Sequence, residues 1–296
     1  MGYLHIDNLY KDQRVLLFKE VFAMEKIHGT SAHLHIEKGR VSFHSGGAEH
    51  LAFTNLFDVE ALLKKTAAAA FAEDAITIYG EACGGKVQKM SHAYGPTLRF
   101  VAFEVRINRA WLAVPQAADV AQQLGLDFVD YVRVPAELPA LDEQRDRPSS
   151  LALRLGLGEQ MREGIVIRPP IEVRINNDAR IIAKHKREEF AETVSPRRVS
   201  VDPNDRVVLE QAQAIADEWV TPMRLNHVAD AVASAKGKPA LDITDTGDII
   251  RAMLEDVERE AKGEIIPSKA ARNAISRAAA HLWKQRVTKV PQEVTA

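Results

Sequence analysis

The chain has 296 residues, 46% of them hydrophobic and 27% charged, an ordinary globular composition with enough length for one or two domains. No apolar run approaches the roughly 20 residues that cross a bilayer, and no signal peptide is expected at the start of the chain. The single cysteine, Cys83, has no internal disulfide partner, so a reducing, cytoplasmic setting is expected. A formal charge of -2 excludes a uniformly basic nucleic-acid binder. Charge is nonetheless blocky: residues 162–198 carry nine Lys/Arg against six Asp/Glu, residues 202–260 six against thirteen, and residues 262–289 seven against one. Such blocks leave basic faces on a nearly neutral protein.

In chain order, residues 21–26, 32–36 and 40–44 are short, partly alternating runs separated by Gly29 and Gly39, as in a β-meander. Residues 56–72 predict a helix, Ala-rich with Leu62 and Leu63. Residues 75–79 predict a strand ending at Gly80. Residues 99–107 predict another, with Val101, Phe103, Val105 and Ile107 on one face and Ala102, Glu104 and Arg106 on the other. A short helix follows Pro115 over 116–124. Strands at 164–168 and 180–186 flank a loop at Asn176, Asn177 and Asp178. Beyond Val201-Asp202-Pro203-Asn204 the character becomes helical, with amphipathic stretches at 207–219, 225–235, 247–262 and 268–287. Ser268 stands as N-cap of the last. An α+β domain over 1–200, antiparallel sheets with flanking helices, and a small all-α domain over 201–296 are expected.

The segment Glu25-Lys26-Ile27-His28-Gly29-Thr30-Ser31 carries the chemistry. A lysine ends a strand, a glycine three residues on permits a tight turn, and hydroxyl residues follow. An amine that attacks phosphorus must be neutral, and nearby cations or a metal favour that form. Lys184 and Lys186, two apart on a strand, leave by the same face and can reach phosphates together. The bland alternatives are a turn lysine and a solvated pair.

Further segments follow in order. They are Gly80-Glu81 after a strand, the strand Phe100-Val101-Ala102-Phe103-Glu104-Val105, Glu163-Gly164-Ile165-Val166-Ile167 and Ala183-Lys184-His185-Lys186. With Lys26 through Ser31 they resemble the ordered motifs of the covalent nucleotidyltransferase superfamily, and within it the RNA ligase 2 family. The matches span residues 25–190. The resemblance implies an ATP-dependent RNA ligase that joins 3′-OH and 5′-phosphate RNA ends through lysyl-AMP on Lys26 and needs Mg2+ or Mn2+. It implies that Lys184 and Lys186 clamp the phosphates and that His28 assists pyrophosphate departure. Glu81 would meet the ribose, Phe103 stack on adenine and Glu25 help recognise it. Glu163, with Glu104 nearby, would serve the metal.

Two departures stand out. Ser31 occupies the place of the family's usual asparagine. Where the family supplies a phosphate-binding arginine the strand runs Val41-Ser42-Phe43-His44-Ser45-Gly46-Gly47, leaving Arg40, His44 or Ser45 as substitutes.

Competing readings are weaker. Gly80-Glu81-Ala82-Cys83-Gly84-Gly85-Lys86 nearly spells a P-loop, but Val87 follows where Ser or Thr holds magnesium. His33 and His35 share a strand face without a third zinc ligand at useful spacing. ATP-dependent DNA ligases and capping enzymes usually place aspartate at the His28 position and continue into an OB-fold, whereas residues 207–287 read as helices. A polynucleotide ligase acting on DNA or mixed strands is the near alternative. A non-catalytic nucleic-acid-binding protein is the distant one. In the helical domain Lys269, Arg272, Arg277, Lys284 and Arg286, with Arg197-Arg198 in the preceding loop, are the expected RNA contacts.

Overall fold

The computed structural model describes residues 3–289 except 73, 86, 88–90, 176–178, 198 and 200–207. Lys86, the loop at Asn176, Asn177 and Asp178, Arg198 and the Val201-Asp202-Pro203-Asn204 stretch lie outside them. The chain divides into two compact units, Met1–Glu189 and Phe190–Ala296.

The first unit runs β1 Glu20–Lys26, β2 Thr30–Glu37, β3 Arg40–Ser45, α1 His50–Thr54, α2 Val59–Ala67, β4 Ile76–Cys83, β5 Arg99–Ile107 and β6 Ala110–Trp111. It continues α3 Val114–Leu124, β7 Tyr131–Pro135, α4 Leu138–Asp146, α5 Ser150–Arg154, β8 Gly164–Arg168 and β9 Ala183–Lys186. Two antiparallel sheets result, ordered β7-β1-β8-β9 and β3-β2-β4-β5-β6.

The meander expected at the start is therefore broken. β1 is an inner strand of the first sheet and β2 belongs to the second. The burial pattern gives the reason. β1 buries five consecutive residues, Val21 to Glu25, as a strand covered on both faces does. β2 alternates, burying Ala32, Leu34 and Ile36 on one face. The turn between them, bearing Lys26, His28 and Gly29, crosses from one sheet to the other.

Expected helix 56–72 is shorter, because Asp58 caps it by accepting from the Ala61 N–H at 2.9 Å. β4 runs on through Gly80 to Cys83. A Cβ on Gly80 would lie 2.4 Å from the Phe100 ring, so glycine allows β4 and β5 to stay paired there. Strict alternation along β5 fails at a bulge: Tyr79 pairs with Glu104, but Gly80 pairs with Ala102. Phe103 is the extra residue, and the bulge inverts the faces. Phe100, Ala102 and Val105 enter the core with Ile78, Phe53 and Ala121, while Glu104 joins the opposite face.

The second unit holds α6 Ala212–Trp219, α7 Pro222–Lys236, α8 Thr246–Glu260 and α9 Lys269–Lys289. Thr221 caps α7, with Pro222 at its first turn. Ser268 Oγ accepts from the Ala271 N–H at 3.0 Å. Ala271, Ile275, Ala279 and Trp283 form one stripe of α9, packed with Trp219, Ile249, Met253 and Val257. Arg224, 1% exposed, donates to Asp256 and to the Trp219 carbonyl. A buried cation needs such partners. No helix among the described residues is long and apolar enough to cross a membrane.

Candidate active site

Register assembles the centre. Lys26 at the end of β1 pairs with Gly164 at the start of β8, and Gly164 pairs with Lys186 at the end of β9. Three strand ends therefore lie side by side, with Glu163 just before the middle one. Gly164 is required there: a Cβ would fall 2.2 Å from the His185 carbonyl oxygen.

Glu163 is 3% exposed and gathers three donors. Lys26 Nζ is 2.9 Å from its Oε2, His28 Nδ1 is 3.3 Å from the same oxygen, and Lys186 Nζ is 3.0 Å from Oε1. Burial pushes the Glu163 carboxyl upward, but the two ammoniums and the His28 contact outweigh it and hold it well below the usual carboxylate range. Glu81 lies across the gap on β4. Burial raises its carboxyl to about 7; Lys26 opposes the rise and Glu163 adds to it.

The Lys26 turn is clamped by β4 and by Tyr94. The Gly29 N–H donates to Glu81 Oε1 at 3.1 Å. The His28 N–H donates to the Tyr94 hydroxyl at 3.1 Å. A Cβ on Gly29 would meet the Ala82 carbonyl oxygen at 2.3 Å, which is why only glycine lets the turn press on β4.

Beside this cluster lies a cavity of about 450 Å³ lined by Lys26, Glu25, Glu81, Phe103, Glu104 and Lys184, with Ser31 and His44 among the further lining residues. Its apolar walls include Met24, Val129 and Val166 with the Phe103 ring. Each residue to which the resemblance gives a role lines the cavity, is Glu163 itself or contacts it, although two sit differently from expectation; of the three arginine substitutes His44 alone lines the cavity among the described residues.

Glu25, expected at adenine, spends both oxygens on the start of α5. It accepts from Ser149 Oγ at 2.5 Å and from the Ser150 and Leu151 N–H groups at 3.0 and 3.2 Å. Glu104, expected beside the metal, is 0% exposed and lies between two guanidiniums. Arg168 Nη1 is 2.6 Å from Oε1, Arg180 donates to both oxygens, and the Tyr3 hydroxyl adds a third donor. Those partners neutralise the charge that a cation would need.

Sequence reasoning missed Tyr3 and Arg168, both on the cavity wall. The Tyr3 ring centre is 4.9 Å from that of Phe103, nearly edge-on. The segment bearing Tyr3 is tied to β9 by the Leu9 N–H donating to the Lys184 carbonyl and the Lys184 N–H donating to the Asp7 carbonyl, at 2.8 and 2.9 Å. No motif marks either residue. Only the fold brings them in.

Among the described residues no group of three or more His, Cys, Asp or Glu converges to hold a metal ion. The donor set offers a hard divalent cation one carboxylate, Glu163, which two lysines and His28 already neutralise, so a cation would have to displace an ammonium there. It does not fit a zinc site at His33 and His35. Among the described residues the P-loop reading gains no helix: the Gly85 N–H returns to the Gly95 carbonyl at 2.9 Å, and a 3₁₀ turn, Ser91–Tyr94, follows.

A strand-end lysine on a buried carboxylate, beside a cavity between two antiparallel sheets, defines a domain of the nucleotidyltransferase class. Its sequence pattern is that of RNA ligase over residues 19–186, and the chain belongs to the RNA ligase family. Structures similar to it include Naegleria gruberi RNA ligase with PPi, at 11% identity and TM-score 0.48. A lysine variant of that ligase with ATP and Mn gives 11% and 0.49. Both matches cover 64% of this chain and 57% of the Naegleria chain. No curated protein sequence matches the chain.

Proposed function

We propose that the chain is an ATP-dependent RNA ligase that seals RNA 3′-OH and 5′-phosphate ends by way of lysyl-AMP on Lys26, in RNA repair. The observation that carries this reading is the Lys26–Glu163–Lys186 cluster beside the cavity that Lys26 lines, in a chain of the RNA ligase family.

In the first step Lys26 Nζ, as the neutral amine, bonds to the α-phosphorus of ATP while the bond to the pyrophosphate oxygen breaks. Glu163 Oε2, 2.9 Å from Lys26 Nζ, orients the amine, whose proton passes to the departing pyrophosphate; His28, 3.3 Å from the same oxygen, assists that departure. Lys186 and Lys184 meet the accumulating phosphate charge, chiefly an electrostatic and positioning contribution. Phe103, which lines the cavity with Val166, supplies an apolar face for adenine, and Glu81 an acceptor for the ribose hydroxyl. Glu163 would hold Mg2+ or Mn2+, which supplies charge neutralisation at the phosphates. Glu25 acts by fixing α5 beneath the cavity. Next an oxygen of the RNA 5′-phosphate bonds to the AMP phosphorus and the P–N bond breaks. Finally the 3′-oxygen attacks that 5′-phosphate and AMP leaves.

The helical unit is assigned to RNA through exposed Lys269, Arg277 and Lys284 on α9, with Arg272, Arg286 and Arg197 closer to protein partners. A cytoplasmic location accords with the lone thiol, Cys83, which is buried.

Incubation with ATP labelled at the α-phosphate and magnesium tests the reading. Covalent, acid-labile AMP on Lys26, absent in Lys26→Ala, is the expected result. An unlabelled wild-type chain would leave a nucleic-acid-binding module instead.

A further inference from the structure

One row of side chains crosses the second sheet on the face that bears Glu81. Register aligns His44 on β3 with His33 on β2, and His33 with Tyr79 on β4. The rings form a ladder. His33 and His44 centres are 4.9 Å apart with 31° between planes. His33 to Tyr79 is 5.4 Å and 42°, and Tyr79 to Trp111 is 5.3 Å and 36°.

The two ends differ. At Trp111 the ladder is closed, with the Arg180 guanidinium 4.2 Å from the ring centre. At the other end β3 is the edge strand, so among the described residues no further strand covers the outer face of His44. That residue is exposed, and among the described residues its ring partner is His33 alone. His44 also lines the cavity that holds Lys26. A flat π-face is thus left open at the rim of a phosphate-handling site.

We infer that His44 is a nucleobase-stacking residue. The base of the nucleotide whose 5′-phosphate enters the Lys26 cavity continues the ring ladder on the open face of His44. This rests on the ligase reading for the identity of the strand, but the stacking itself does not need the adenylylation chemistry.

The chemistry favours a base over a phosphate at this position. Aromatic faces take up unpaired bases with little sequence preference, because every base offers a π-face. Burial, with the neighbouring His44, lowers the His33 imidazole to about 4. The ladder behind His44 is therefore neutral at physiological pH and supplies polarisable surface rather than charge. The position also explains how a strand without the family's arginine can still orient an RNA end.

The test uses the full chain and a single-stranded RNA dodecamer carrying a 5′-phosphate and 2-aminopurine as its first base. In the absence of ATP, binding quenches the 2-aminopurine fluorescence in the wild type and in His44→Phe, which keeps a stacking face. The quench is lost in His44→Ala and His44→Lys. A companion dodecamer with an abasic first residue binds the wild type at least about fivefold more weakly than the intact strand, and binds His44→Ala no differently from it. The inference is overturned by a wild type that gives no quench, by His44→Ala retaining the preference for the intact strand, or by His44→Lys retaining what His44→Phe loses. A wild type that stacks the base but takes no AMP on Lys26 would sink the ligase reading and leave this one standing. Labelling without a His44-dependent quench would do the reverse.

Discussion

Replacing Glu163 by glutamine removes one negative charge from beneath three donors while keeping the shape of the side chain. Taking away one partner of a buried ion pair typically costs about 3–5 kcal/mol, because the remaining charge has lost its compensation. Here the Lys26 and Lys186 side chains keep 24% and 12% of their exposure, so water offsets part of the loss and the lower figure, about 3 kcal/mol, applies. For a domain of this size that corresponds to a fall in Tm of roughly 6–12 °C. The effect has a pH signature. Because the folded Glu163 carboxyl is held well below its ordinary value, its stabilisation is fully present above about pH 4.3. It is lost as pH falls from there through the folded value. The gap between wild type and Glu163→Gln is therefore widest near neutrality and closes in acid. Thermal unfolding followed by circular dichroism between pH 3.5 and 7.5 measures it. A variant melting within about 2 °C of wild type at pH 7 would show that the carboxylate does not balance the lysines.

Three further outcomes are expected. Gly29→Ala forces the Lys26 turn off the Ala82 carbonyl, and a displacement on the order of 1 Å reduces Lys26 labelling by about 100-fold; near-normal labelling would contradict the close approach. Glu81, raised to about 7, stabilises the fold fully below its unfolded value and progressively less as pH rises toward 7. Glu81→Gln should accordingly flatten the Tm profile between pH 5 and 8, and an unchanged slope would refute the assignment. A chain ending at residue 189 should keep Lys26 labelling while losing most strand joining, measured on a nicked duplex and on single strands; equal loss of both would remove the division of labour.

The chemistry was more legible than the architecture. Lys26, Gly29, Glu163 and the two lysines of β9 declare themselves locally, because a strand-end lysine, a tight turn and a same-face pair each leave a short pattern. The division into two sheets left a fainter signal. The continuous apolar run of β1 against the alternation of β2 marks strands covered on different numbers of faces, yet proximity in sequence suggests a hairpin. The bulge at Phe103 has no sequence mark, so strict alternation puts Val101 with Val105 and Ala102 with Glu104, the reverse of the observed faces before the bulge. Residues 131–154, forming β7, α4 and α5, lack strong periodicity. They supply the Ser149 to Leu151 donors that occupy Glu25. Tyr3 and Arg168 reach the cavity through pairing of segments far apart in the chain.

The alignment of Lys26, Gly164 and Lys186 across three paired strands ties reactivity to correct assembly. Sliding any of those strands by one residue would turn its terminal side chain to the other side of the sheet. Under the proposed chemistry, a chain whose sheet had not closed would hold the same lysine without its partners, and covalent uptake of the nucleotide would serve as a chemical certificate that this sheet has closed in register.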